Sequence, residues 1–171
     1  MAVWLYQMTA DKYSPTQFRH DVVEGNKTSG FYTHMIRSKS GSCPNWPDPI
    51  IFSFCPSGKR NPEPGIYGWG VIHSYDKVSD EIQFTPTRPT DFLKTHPAWD
   101  GDVKSLLKDI RKPIFTGTMW EVNSDDWIKI QVKIGEWVDK IDPDYWEKLG
   151  REYLERKSSK VVLQGEAPNG Q

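Results

Sequence analysis

The order of apolar and turn-rich segments predicts a small α+β domain with a curved or barrel-like sheet. Residues 47–75 read PDPIIFSFCPSGKRNPEPGIYGWGVIHSY, two β-type runs joined by a connection dense in Pro and Gly. A third apolar run, AVWLYQM, opens the chain at residues 2–8, and helical spacing appears in separate blocks further on. Short apolar runs bounded by turn residues favour strands, and apolar residues three and four apart favour helices.

The first run predicts a strand buried on at least one face, with Gln7 as an amide in an otherwise apolar segment. A buried amide needs partners, so Gln7 either satisfies nearby backbone or presents its donor and acceptor to a ligand. Ser14 followed by Pro15 predicts a capped helix over 14–25 with Phe18, Val22 and Val23 inward. Residues 30–36 fit a short strand or a helix, and 38–49 read as a loop holding the isolated Trp46, either a plug over the core or a wall of a site. The runs 50–54 and 66–72 are strands. Their connection, 55–65, is a shaped loop carrying Lys59 and Arg60. Gly68 and Gly70 flank Trp69, and glycine within a strand marks a bulge or a close visitor, either a neighbouring element or a flat ligand.

Residues 77–87 predict another strand, 88–101 mixed turn, and 100–110 a helix with Val103, Leu106, Leu107 and Ile110 on one face. Lys104, Lys108, Arg111 and Lys112 line that helix and its exit, a solvated surface before it is a phosphate-binding one. A strand is expected over 114–122, a helix over 123–141 capped at Asn123 or Ser124, and a second helix over 142–157. Residues 1–157 therefore read as one domain, with 158–171 a flexible tail that has little to bury.

Composition narrows the function. The chain has 171 residues, a formal net charge of −1, and 8 Trp beside 7 Tyr and 7 Phe. A near-neutral chain is no polycation, so nucleic-acid contact would need a local basic surface. The indole surplus fits a large core or recognition of a flat ligand. Cys43 and Cys55 lack metal-ligand spacing, no basic leader precedes an apolar run, and no run reaches about 18 apolar residues. A cytoplasmic protein with reduced thiols and no membrane span is expected. The four histidines are scattered, and His20-Asp21 is too short to argue a metal phosphohydrolase. There is no nucleophile elbow and no phosphate loop, and GIYGWG (65–70) reverses the order of a dinucleotide fingerprint. No catalyst, metal or cofactor is indicated.

Several segments taken together carry a resemblance. WLYQ (4–7), IIFSFCPSG (50–58), GIYGWGVI (65–72) and GTMW…DDW (117–127) resemble the EVE domain, of the PUA-like superfamily that includes YTH, ASCH and SRA-type relatives. The motifs occur in family order across most of residues 3–155. Cys55-Pro56 stands where the family often has an aromatic or polar pair, and Met119-Trp120 departs from a Gly-Thr-Asn-Phe-like segment.

The resemblance implies a PUA-like pseudo-barrel of mixed strands with flanking helices. It also implies a non-catalytic pocket for a modified base, such as 5-methylcytosine, flipped out of DNA or RNA. On this reading Trp4 or Tyr6, together with Trp69, would be stacking walls, and Gln7 and Ser57 would read the base edge. Gly58 and Gly65 would admit close backbone approach, Lys59 and Arg60 would hold phosphates, and Trp46 and Trp120 would help close an aromatic cage. Stacking on one ring contributes about 1–3 kcal/mol. In a regular strand Trp4 and Tyr6 share a face and Gln7 takes the other, so without a bulge either the rings or the amide face the pocket. The alternative function is binding of a small nucleotide-like ligand or a protein partner, and less so an enzyme acting on a modified nucleoside.

Overall fold

The computed structural model describes residues 1–9, 13–24, 31–55, 65–86 and 101–135. Seven strands form one mixed sheet: β1 (Trp4–Thr9), β2 (Phe31–Tyr32), β3 (Ile36–Arg37), β4 (Pro49–Cys55), β5 (Ile66–Asp76), β6 (Glu81–Pro86) and β7 (Met119–Glu121). Their order is β2-β6-β5-β4-β1-β7-β3. The central pair β1–β4 is parallel, β3–β7 is parallel, and the remaining pairs are antiparallel. Among the described residues the end strands β2 and β3 are not paired with each other, so the sheet is not closed. Among the described residues the α-helices are α1 (Pro15–Phe18), α2 (Gly101–Ile110) and α3 (Ser124–Gly135).

Connection length forces this sheet to roll. β2 and β3 lie at opposite ends of the order, six strand spacings apart, or about 29 Å if the sheet were flat. Only Thr33, His34 and Met35 join them, and four residue steps of extended chain reach at most about 14 Å. The two ends must therefore curl toward each other. Side chains agree: the Tyr6 hydroxyl donates to the Tyr32 carbonyl at 2.8 Å, although three strands separate β1 from β2 in the sheet.

Rolling gives the sheet a concave and a convex face, and strand alternation sorts the side chains between them. Trp4, Tyr6 and Met8 face the concave side with Ile50, Phe52, Phe54, Ile72, Ile82 and Phe84. Rings in this layer meet edge-on or tilted, as Phe52 and Phe84 do at 4.9 Å. Leu5, Ile51, Trp69 and Val71 face the convex side, where Val103, Leu106, Leu107 and Ile110 of α2 and Ile130 of α3 cover them. Between Phe52 and Ser53 the β4–β5 register shifts, and the extra residue, Tyr67, joins the concave layer.

Most expected elements form, with adjusted limits. Gln17 N donates to Ser14 Oγ at 3.1 Å, the anticipated cap, and Phe18 and Val22 are buried. The continuous helix expected over 14–25 is instead one α turn that widens into a π-helical segment over Arg19–Glu24. Of the stretch 30–36, residues 31–36 hold β2 and the start of β3. β5 extends to Asp76, so the strand expected to begin at 77 starts at Glu81 after a tight turn with Asp80 at φ 53°. Extended strand over 114–122 shrinks to β7. Asn123 caps α3, its Oδ1 accepting from Asp126 N at 2.9 Å. The turn expected over 88–101 as far as residue 100, the part 136–141 of the helix expected over 123–141, the helix expected over 142–157 and the tail 158–171 lie outside the described residues.

Candidate functional site

The rolled sheet divides the expected site residues into separate groups. Trp4 and Tyr6 belong to the concave layer. Trp4 is fully buried and its Nε1 donates to Asp48 Oδ2 at 3.0 Å. Tyr6 is spent on Tyr32, and burial pushes its hydroxyl well above the ordinary tyrosine range. Trp69 is buried on the convex face, because the cross-strand row runs Leu5–Ile51–Trp69 while Tyr6 lies in the row Tyr6–Phe52–Gly68. Strand alternation thus puts Trp4 and Tyr6 on the opposite side of the sheet from Trp69, and they do not wall a common pocket. The visitor that Gly68 admits is Phe18 of α1: a Cβ at Gly68 would stand 3.3 Å from Phe18 Cε1, on the concave side.

Trp46 stands at the far end of β4. Its ring stacks on His73 at 5.2 Å with planes 12° apart, and it packs against the convex cluster. Seven residues of β4 separate it from the connection that begins after Cys55, roughly 20 Å along the strand. Trp46 is a cover over the core edge, and it closes no cage with Gln7. Trp120 is buried beneath the exit of α2, with Nε1 donating to the Ile114 carbonyl at 2.9 Å.

Gln7, like Trp46, keeps some exposure. It lies on the convex face of β1, in the row Gln7–Ser53–Ile66, one row beyond Leu5, Ile51 and Trp69. Its backbone N–H donates to the Thr118 carbonyl at 2.9 Å. Among the described residues its side-chain amide has no hydrogen-bond partner, so one donor-acceptor pair is left to present. Below it, the buried Ser53 hydroxyl reaches the Tyr6 carbonyl at 3.5 Å. β4 ends at Cys55 opposite Thr9, and β5 begins at Ile66 opposite Ser53. The end of β4 and the start of β5 therefore lie beside Gln7, and the buried Gly65 precedes β5. Ser57, Gly58, Lys59 and Arg60 lie outside the described residues.

Two groups of functional interest escaped sequence reasoning. Asp48, only 4% exposed, accepts from Ala2 N, Trp4 Nε1 and Asn45 N, each at 3.0 Å. Its signal was an acid wedged between Pro47 and Pro49 beside apolar runs. Arg37 and Lys39 join Arg111 and Lys112 around a groove over Trp120. Only tertiary structure could reveal that grouping. Among the described residues no cluster of His, Cys, Asp or Glu is arranged to hold a metal ion. No helix among them is long and apolar enough to cross a membrane. Compared with protein-family models, curated proteins and solved structures, the chain matches none.

Proposed function

We propose that this protein is a non-catalytic reader of a modified base, in DNA or RNA, built on a PUA-like pseudo-barrel of the EVE type. The rolled mixed sheet supports the fold part of this reading, since its end strands are joined by three residues across the gap. The observation that carries the functional part is Gln7, whose side-chain amide has no hydrogen-bond partner among the described residues and which lies beside the end of β4 and the start of β5. An amide offers a donor and an acceptor side by side, the pattern needed to read a base edge. Ser57 and Gly58 complete the pocket in this reading, and Lys59 and Arg60 hold the strand.

With Trp4, Tyr6, Trp69 and Trp120 buried, recognition rests on hydrogen bonds to the base edge, backed by the apolar layer around Trp69. Flipping a base costs a few kcal/mol, least for an already single-stranded one. A single added methyl gains only about 0.8 kcal/mol on burial. Preference for a modified base is therefore modest unless the pocket also penalises the plain one.

The test is tryptophan-fluorescence titration with short oligonucleotides carrying 5-methylcytosine, 5-hydroxymethylcytosine, N6-methyladenine or no modification, as DNA and RNA. One modified strand should quench, and Gln7→Ala protein should lose about tenfold in its affinity, or about 1.4 kcal/mol. Gln7 is the better probe because Trp69→Ala would empty part of the core. Silence toward every strand at low salt would sink the reading and turn attention to nucleotide-like ligands and protein partners.

A further inference from the structure

A cavity of about 250 Å³ opens beside β7 and β3, on the opposite side of β1 from β4. One wall is Ile36 to Lys39, the other is the α2 exit from Ile110 to Ile114, and Trp120 and Glu121 form the floor. β3 and β7 pair with Arg37 opposite Trp120, and the bond from Trp120 Nε1 to Ile114 O ties the second wall down. At about 30 Å³ per water the space equals roughly eight waters, room for a phosphodiester and part of its sugar. It is smaller than the pockets of about 300–1,000 Å³ that enclose drug-sized ligands.

Its charge is lopsided. Four cations, Arg37, Lys39, Arg111 and Lys112, surround one carboxylate, in a chain whose formal net charge is −1. Both guanidinium groups are held by their own scaffold. Arg37 Nε donates to Thr116 O at 2.9 Å, and Arg111 Nε donates to Leu107 O at 3.1 Å. Arg111 also stands 5.9 Å over the Phe115 ring. Among the described residues neither Arg37 nor Lys39 forms an ion pair with a carboxylate. Lys112 meets Asp109 at 2.7 Å, but both are half exposed and such pairs contribute little.

Among the described residues Glu121 forms no ion pair with the groove's cations. Its oxygens accept from Ser38 Oγ at 2.7 Å, Ser40 Oγ at 2.7 Å and Ser40 N at 3.0 Å. Those neutral donors fix the bend that carries Lys39 at the rim.

We infer that this groove binds a backbone phosphate of the nucleic-acid strand whose base reaches Gln7, an inference that rests on the reader reading above. The two places are close, since Trp120 pairs with Leu5 and Gln7 N bonds to Thr118 O on the lead into β7. A guanidinium fork matches two phosphate oxygens at once. A phosphate here fixes the strand's register and carries no sequence information.

The experiment measures affinity against salt for the same modified and plain oligonucleotides, using the full chain, Arg37→Gln/Arg111→Gln and Lys39→Gln/Lys112→Gln. Near-ultraviolet circular dichroism checks the fold of each, and the lysine pair, both surface residues, stands in should the arginine pair fail to fold. Each lost phosphate contact should flatten the plot of log K against log salt by about 0.7 for single strands, equally for modified and plain strands. Lys104→Gln, on the exposed side of α2, should leave the slope unchanged. Parent-like slopes and affinities in the folded variants would overturn the groove and leave the reader standing. An equal effect from Lys104→Gln would also overturn it, by assigning the loss to net charge. Binding that weakens in the variants but ignores the modification would support the groove and remove the reader. A parent protein that binds no strand at low salt would overturn both.

Discussion

Asp48 organises the beginning of the chain. Its carboxylate gathers the Ala2 amide, the Trp4 indole and the Asn45 amide, so the largest ring of the concave layer is oriented by one acid. Removing the acceptor would strand these donors, and hydrogen bonds to a charged group contribute about 1.5–3 kcal/mol each, less than additively. Asp48→Ala should therefore destabilise the fold by about 2–4 kcal/mol, read from urea unfolding with an unchanged m-value. A second acid has a pH signature. Burial would raise the Glu121 carboxyl, but hydrogen bonds from the Ser38 and Ser40 hydroxyls and the Ser40 and Lys39 amides outweigh it and hold the group below the usual glutamate range. A folded value below the unfolded one, about 4.3, gives stability that is complete above that pH and fades as pH falls through the folded value. Melting temperature should thus fall less steeply with acid in Glu121→Gln than in the parent, over the range below about pH 4 to 5. Parallel curves would show that the carboxylate adds nothing to stability.

Among the elements, α1 is short but central. It spans only four residues before its π-helical continuation, yet Phe18 is 1% exposed and meets Phe52, Phe54 and Tyr13. The absent side chain at Gly68 makes room for that ring. Phe18→Ala should cost about 3–5 kcal/mol through lost burial and a residual cavity, measured by chemical denaturation. The lead into β7 has a similar tolerance limit. A Cβ at Gly117 would stand 3.1 Å from Trp120 Cζ2 and 3.2 Å from Arg37 Cγ. Gly117→Ala should therefore move groove residues before it unfolds anything, seen as a changed Trp120 environment in near-ultraviolet circular dichroism with a melting temperature within a few degrees of the parent.

At the scale of the whole molecule, one short connection dictates the shape. Because three residues join strands at opposite ends of a seven-strand order, a flat sheet is excluded and the aromatic face must turn inward. Much of this was legible beforehand. The apolar runs AVWLYQM and IIFSF predict strands, Ser14-Pro15 and Asn123 mark helix starts, and Leu106, Leu107 and Ile110 mark the buried face of α2. The candidate site was legible only in part. Alternation separates Gln7 from Trp4 and Tyr6, as the structure has it, but it does not say which face meets solvent or on which side Trp69 lies. The helical stretch after Ser14 misled because local periodicity is blind to a widened turn that seats Phe18 and Val22 against the sheet.

The sequence by itself determined which residues alternate, where helices begin and that Gln7 parts company with its aromatic neighbours, because these depend on dihedral preferences and spacings within a few residues. Only the tertiary structure decided that Trp69 and Tyr6 stand back to back, that Phe18 is Gly68's visitor, and that Arg37 and Lys39 meet Arg111 and Lys112 across one groove. Those outcomes follow from strand order and curvature. They join residues tens of positions apart through backbone hydrogen bonds that any pair of strands can make, so the partner is chosen by packing of the whole sheet.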